Sequence, residues 1–278
     1  MAGRSGLGTL EVPAVKEGES MKILVLVKEV PDTYGDRKLS LQTGLADREA
    51  SDRVLDEIGE RALEVALSYA DKNSDTEIVV VSMAPDEAEA TIRKGLAMGA
   101  ASAFQILDDA LRGADLGLTA EVLAVAIQRV GFDLVITGNQ STDGSGGLIP
   151  SMLAERLGVP QATALTSVEI FRDKITGTRS TEDGVAQVSA SLPAVISITE
   201  ALPDGRFPNF KGIMAAKKKP FERLSLADLG VEPERPDVAR SIMVSVAERP
   251  PRGAGVKIFD EGDAGEKLAE YLIQNRLA

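Results

Sequence analysis

The sequence predicts an α/β protein: a mostly parallel sheet with helices on both faces, an antiparallel addition and an extended C-terminal arm. Three observations carry this. Short unbroken runs of Val, Leu and Ile mark strands buried on both faces. Segments of helical period separate them, so strand and helix alternate four times. After Pro160 the pattern changes to period-two alternation.

The elements follow in order. Ile23–Val27 is the first buried strand, and Leu55, Ile58, Ala62, Val65, Ala66 and Tyr69 then recur at helical spacing. Glu77–Ser82 is the second strand. Pro85-Asp86 starts a helix with Ile92 and Leu96 inward and Gly99 as its stop. Ser102–Ile106 is a third strand, and Thr119 is placed to cap a helix carrying Leu123, Ala126, Ile127 and Val130. Asp133–Thr137 is the fourth strand. Met152, Leu153 and Leu157 mark another helix, ended by Gly158-Val-Pro160. Ser167–Phe171 and Val185–Ser189 alternate about the polar turn Thr181–Gly184, an antiparallel edge, and Ala194–Ile198 is one more buried strand. From Thr199 the chain reads as irregular. An apolar strand at Ile242–Val246, a break at Pro250-Pro251 and a short helix from Glu266 to Leu277 complete it.

Composition excludes much chemistry. Without Cys or His there is no thiolate nucleophile, imidazole base, Cys/His zinc site or iron–sulfur cluster. A net charge of −12 argues against nucleic-acid binding, which needs a basic face. No apolar run approaches the ~18 residues of a membrane helix. Residues 1–20 lack a signal peptide's apolar core and read as a flexible extension. The expectation is a cytoplasmic protein.

The segment with most chemistry is Thr137-Gly-Asn-Gln-Ser-Thr-Asp-Gly-Ser-Gly-Gly-Leu-Ile-Pro150, directly after a predicted parallel strand, where open α/β sheets bind ligands. Glycines let backbone N–H groups approach an anion, and the next helix offers its positive end. Ser141, Thr142 and Ser145 carry hydroxyls suited to phosphate. Asp143 would be repelled, so it should face ribose, a backbone turn or a cation. No lysine follows as in a P-loop, and GxGxxG is absent. Two interpretations stand: a nucleotide loop, or an ordinary glycine-rich turn.

Several stretches together resemble the β subunit of electron-transfer flavoprotein. They are Val25-Leu-Val-Lys-Glu-Val-Pro31, Ala90-Thr-Ile-Arg-Lys-Gly-Leu-Ala-Met-Gly-Ala100, the glycine loop, Arg206-Phe-Pro-Asn-Phe-Lys-Gly-Ile-Met-Ala-Ala-Lys-Lys-Lys219 and Pro250-Pro-Arg-Gly-Ala-Gly-Val-Lys257. They fall in family order from Met21 onward, closest in wording to bacterial, FixA-like or actinobacterial members. The resemblance implies a Rossmann-like, adenine nucleotide alpha hydrolase-like fold over residues 21–200. It also implies a partner-recognition loop at 201–220, and a segment and arm at 221–278 lying on the α subunit. The α subunit would carry most contacts to a redox-active FAD, which supplies the electron chemistry. AMP, or a second FAD in electron-bifurcating members, would sit in the β subunit.

Position by position, the family's nucleotide pocket falls on Leu26, Lys28, Asp56, Met83, Gly138, Asn139, Gln140, Ser141, Thr142, Asp143, Ser145, Gly146, Gly147, Leu148, Ile149 and Pro150. Backbone N–H groups of Gly146–Ile149 and the Thr142 and Ser145 hydroxyls would hold phosphate. Met83 would flank adenine or simply pack, and Lys28 would enter the pocket or stay solvated. Many housekeeping members read GKQAIDDD, with Gln-Thr-Gly further on. This loop reads GNQSTDGS, then Gly147-Leu-Ile-Pro150, compatible with AMP or a diphosphate.

Partner docking is carried onto Phe207, Phe210, Ile213 and Met214. Housekeeping members plug a leucine into acyl-CoA dehydrogenases where this chain has Phe210, either an anchor or a ring folded on its own domain. Lys217–Lys219 read as a docking edge or solvated face. The expected function is an electron carrier between flavin dehydrogenases and an electron-transfer-flavoprotein–quinone-oxidoreductase-like acceptor. The alternatives are a bifurcating β subunit using NADH, and a stand-alone adenine-nucleotide-binding protein of the universal-stress type. The arm from Arg249 and the Phe210 loop distinguish the last.

Overall fold

The computed structural model describes residues 20–277 apart from positions 36, 237, 254, 256 and 258. The predicted N-terminal extension lies outside the described residues up to position 19. Strand β1 (Met21–Leu26) turns Met21, Ile23 and Val25 to one core and Leu24 to another, as a strand covered on both faces must. A small antiparallel ribbon, β2 (Glu29–Pro31) with β3 (Arg53–Leu55), precedes helix α1 (Glu57–Ala70). There follow β4 (Thr76–Met83), α2 (Glu89–Met98), β5 (Ser102–Ile106), α3 (Leu116–Val130), β6 (Leu134–Gly138) and α4 (Ile149–Leu157). Next come β7 (Gln161–Ile170), β8 (Lys174–Thr181), β9 (Gly184–Ser191) and β10 (Ala194–Ile198). Then α5 (Phe210–Ala216), β11 (Phe221–Leu224), α6 (Leu226–Leu229) and α7 (Ala264–Gln274) end the chain.

The sheet order is β11-β5-β4-β1-β6-β10-β7-β8-β9. All neighbours from β11 to β7 are parallel, and β7-β8-β9 are antiparallel. Helices α1 and α2 cover one face through Leu63, Leu67, Ile92 and Leu96. Helices α3, α4 and α6 cover the other through Val122, Ile127, Leu153 and Leu226. The predicted class is therefore the observed one. From β1 the chain first builds outward through β4 and β5, then returns to place β6 on β1's other side. The reversal opens a crevice at the carboxyl ends of β1 and β6, where such sheets take ligands.

Several expectations need correcting. Leu55 belongs to β3, and α1 starts only at Glu57. Thr119 lies inside α3, whose N-cap is Asp115: its carboxylate accepts from the Leu118 N–H at 2.8 Å. A middle strand, β8, stands between the two predicted edge strands. Its sequence, Lys-Ile-Thr-Gly-Thr-Arg-Ser-Thr, has too few apolar residues to signal itself. Past Thr199 the chain is not wholly irregular, since α5 and the parallel strand β11 follow. Ile242–Val246 forms no strand, and Ile242, Met243 and Val244 stand exposed. The last helix runs over Ala264–Gln274 rather than Glu266 to Leu277. The chain divides at Val244/Ser245 into a large compact unit and a small one holding α7, which buries no residue.

Candidate functional site

The loop between β6 and α4 is tied down through its first half and open through its second. Gly138 ends β6 beneath α1: a Cβ there would stand 2.6 Å from the Ile58 side chain, so this glycine serves packing. The Asn139 N–H donates to the Ile198 carbonyl at 2.8 Å, and the Gln140 N–H to Asn139 Oδ1 at 2.8 Å. The Thr142 N–H donates to Asp56 Oδ2 at 2.9 Å, joining the loop to the start of α1. Asp56 is 2% exposed. Its burial pushes its carboxyl above the usual range, partly offset by the Thr142 N–H.

Asp143 turns to cations, one of the three orientations expected of it. Lys28 Nζ lies 2.7 Å from Oδ1 and Arg48 Nη2 lies 3.4 Å from Oδ2. Burial alone would push the Asp143 carboxyl up, but Lys28, Ser141 and the Gly144 N–H together hold it below the usual range. Lys28 also donates to Ser141 Oγ at 3.4 Å. Arg37 Nη1 donates to the Thr142 carbonyl, and Arg48 Nη1 to the Glu29 carbonyl at 2.9 Å. The segment between β2 and β3 thus brings two arginines to the loop.

Beyond Ser145, which bonds back to the Ser141 carbonyl at 2.9 Å with φ of 50°, the backbone is free. Among the described residues, the N–H groups of Gly146, Gly147 and Leu148 meet no protein acceptor. They stand at the N-terminus of α4, whose dipole favours an anion there. Pro150 in the first turn of α4 needs no acceptor of its own. Two buried oxygens nearby, Asp56 Oδ1 and Thr142 Oγ1, make no hydrogen bond of good geometry, although the Thr142 hydroxyl and the Ile58 N–H lie close enough to stabilise the Asp56 carboxylate. Free donors at the loop's mouth and unsatisfied acceptors at its root fit a nucleotide's phosphate and its hydroxyl or amine donors.

The crevice therefore brings together most of the expected residues. Leu26 and Met83 end β1 and β4 half-buried, Lys28 and Asp56 touch the loop, and Ile149 and Pro150 enter α4. The Thr142 hydroxyl is buried, whereas Ser145, Gly146 and Gly147 are exposed. A depression of about 390 Å³ lined by Lys22, Glu77, Phe104 and Arg129 lies at the opposite, N-terminal strand ends. Ligand sites of parallel sheets form at the carboxyl ends, which makes the β1/β6 crevice the candidate site. Sequence reasoning missed Arg37 and Arg48, which no motif or period links to a loop about a hundred residues away.

The docking residues form a second group. Phe207 and Phe210 are 94% and 79% exposed, with Ile213 and Met214 also open. Phe210 is the first residue of α5, capped by Asn209 Oδ1 accepting from the Gly212 N–H at 2.8 Å. It is thus neither on an irregular loop nor folded against its own domain. Lys217 and Lys218 are exposed. Lys219 is instead turned inward, donating to the Leu96 and Ala100 carbonyls at 2.9 and 2.6 Å at the end of α2.

Fold and crevice together define an α/β protein with an anion-competent loop at its topological switch point. The family model described as Electron transfer flavoprotein domain matches residues 43–229. The chain is 45% identical over 262 residues to the electron transfer flavoprotein subunit beta of Mycobacterium tuberculosis, covering 92% of this chain and 98% of that protein. It is 34% identical to the subunit beta of Syntrophomonas wolfei, over 91% and 96%. It is 36% identical to the caffeyl-CoA reductase-Etf complex subunit CarD of Acetobacterium woodii, over 77% and 82%. The chain belongs to the electron transfer flavoprotein family, as a β subunit. It is an electron-carrier subunit rather than a conventional enzyme, and membership implies an α-subunit partner. Among the described residues no helix is long and apolar enough to cross a membrane.

Proposed function

We propose that this β subunit binds AMP as a structural ligand in the β1/β6 crevice. With the α subunit it helps to hold the FAD that relays electrons from flavin dehydrogenases, such as acyl-CoA dehydrogenases, to a quinone-linked acceptor in the cytoplasm. The carrying observation is the row of unpartnered N–H groups at Gly146, Gly147 and Leu148 on the N-terminus of α4. These N–H groups would hold the phosphate, with the Ser145 hydroxyl beside them. Asp56 Oδ1 would accept from a ribose or base donor.

The loop carries no Walker lysine and the chain has no His or Cys, so the nucleotide would be held and not cleaved. FAD supplies the redox chemistry when bound. The exposed apolar face of Phe207, Phe210, Ile213 and Met214 would meet the dehydrogenase, and the unit from Ser245 would lie on the α subunit. In α7, Leu268, Tyr271 and Leu272 share one helical stripe that buries nothing in its own unit.

A second interpretation, FAD in place of AMP as in a bifurcating carrier, is favoured by one feature. With Asp143 paired to Lys28 and Arg48, its charge is neutralised rather than turned against a second phosphate. The stoichiometry of released cofactors in the purified αβ complex separates the two. One flavin and one AMP per heterodimer is the expected result, and two flavins would replace it with the bifurcating carrier.

A further inference from the structure

Between Leu202 and Ala216 no residue of the docking segment is buried, although the segment carries two phenyl rings almost fully in solvent. Apolar burial therefore cannot be what holds it to the body. Its hold is polar and centres on Arg206. The Arg206 N–H donates to Glu64 Oε2 at 3.0 Å, Nε to the same oxygen at 2.8 Å, and Nη2 to Glu64 Oε1 at 2.8 Å. On the outer side Nη2 donates to Asp71 Oδ2 at 2.8 Å and Nη1 to Oδ1 at 3.4 Å. One planar guanidinium thus grips two carboxylates of α1 and its C-cap by fork geometry that lysine cannot reproduce.

Two neighbouring contacts extend the hold. Arg61 of α1 donates to the Leu202 carbonyl and pairs with Asp204. Gly212 seats α5 on α2, since a Cβ there would stand 2.4 Å from the Ala97 carbonyl. Phe207 directly follows the clamped residue, and Phe210 lies four residues from it.

We propose that Arg206 is a positioning residue for docking. By fixing the segment on Glu64 and Asp71 it presets Phe207 and Phe210 for an apolar pocket on a partner protein, and it takes no part in holding nucleotide or flavin. The proposal rests on the docking face proposed above. Presetting matters because an exposed segment that must be ordered on contact spends binding free energy on that ordering.

The test uses the assembled αβ complex with its cofactors bound and a reduced acyl-CoA dehydrogenase as donor, varying the complex concentration. Phe210→Ala should raise KM about five- to tenfold with kcat and cofactor content kept. Arg206→Ala should raise KM about three- to tenfold, again at constant kcat and content. It should also speed amide exchange over residues 203–212, which Phe210→Ala leaves unchanged. Arg206→Lys should fall between wild type and Arg206→Ala.

If Phe210→Ala raises KM and Arg206→Ala does not, the positioning role is overturned while the docking face stands. An unchanged KM in Phe210→Ala overturns the docking face and the positioning role with it. Should Arg206→Ala lose cofactor, Asp71→Asn decides the matter, because it removes only the outer half of the clamp. A rise of about twofold in KM supports the proposal, and no rise overturns it.

Discussion

The glycine loop and the docking segment are both connections that follow a parallel strand of the central sheet, yet they are opposites in what they leave free. The loop after β6 buries its acidic neighbour Asp56 and leaves backbone N–H groups unpaired at Gly146–Leu148. The segment after β10 leaves Phe207 and Phe210 in solvent and anchors itself with a half-exposed ionic clamp. Backbone N–H groups suit a small anion, whereas exposed side chains suit a protein surface. The two anchors accordingly differ in depth, and that difference can be broken deliberately.

Of the two anchors, the buried one should show the larger effect. Asp56→Ala removes the acceptor of the Thr142 N–H and strands that donor, which should cost about 2–3 kcal/mol of unfolding free energy. Asp56→Asn keeps an amide oxygen there and sheds the cost of a buried charge, so it should cost less than about 1 kcal/mol. Denaturant titration of both variants at unchanged m-value is the measurement. If Asp56→Ala proved as mild as Asp56→Asn, the loop would not depend on its buried acid.

Acid should act on the two anchors with opposite sign. Burial tends to raise the Glu64 carboxyl, but the Arg206 guanidinium and N–H outweigh it and hold it below the usual range. Its hydrogen bonds with Arg206 also hold Asp71 low. A depressed folded pKa contributes stability that is complete above the unfolded pKa and disappears as pH falls through the folded value. The clamp should therefore be intact above the ordinary carboxylate range and weaken progressively as pH falls from that range towards the lower folded value. Burial raises Asp56, so its contribution has the opposite sign: it is present below the unfolded pKa and is lost as pH rises through the folded value. Amide exchange from pH 7 downward, corrected for intrinsic rates, should show residues 203–212 loosening only once pH has entered the usual carboxylate range. Loosening at higher pH would contradict the pairing of Glu64 with Arg206.

Much of the fold was legible because burial writes itself into composition. A strand such as Ile23–Val27 is apolar throughout because the sheet is covered on both faces, and its neighbours announce themselves in the same way. Strand β8 was not legible, since it belongs to an exposed antiparallel edge where threonines suffice. Nor was β11, because its Phe-Glu-Arg-Leu adds only four residues to the far edge of the sheet. The glycine loop could be placed from its strand and its glycines alone. Its anchors Arg37 and Arg48 were invisible, because a charge pair spanning 95 residues, as Arg48 and Asp143 do, leaves no local pattern. Arg206 stood in a recognisable stretch, but only the packed α1 shows which two carboxylates it grips.

The smallest effect on stability is expected where the effect on docking should be large. Phe207 and Phe210 keep most of their surface in solvent, so truncating either forfeits little hydrophobic stabilisation. Phe207→Ala and Phe210→Ala should each change the unfolding free energy by less than about 0.5 kcal/mol. A comparable truncation in the core, Leu96→Ala on the inner face of α2, should cost about 2–5 kcal/mol, since Leu96 is fully buried. Two large rings kept in water risk self-association and bring the fold no benefit, as the proposed docking role would require of them. Parallel denaturation curves for the three variants check this. A loss at Phe210 approaching that at Leu96 would mean the ring packs on its own domain, and the contrast between the two regions would collapse.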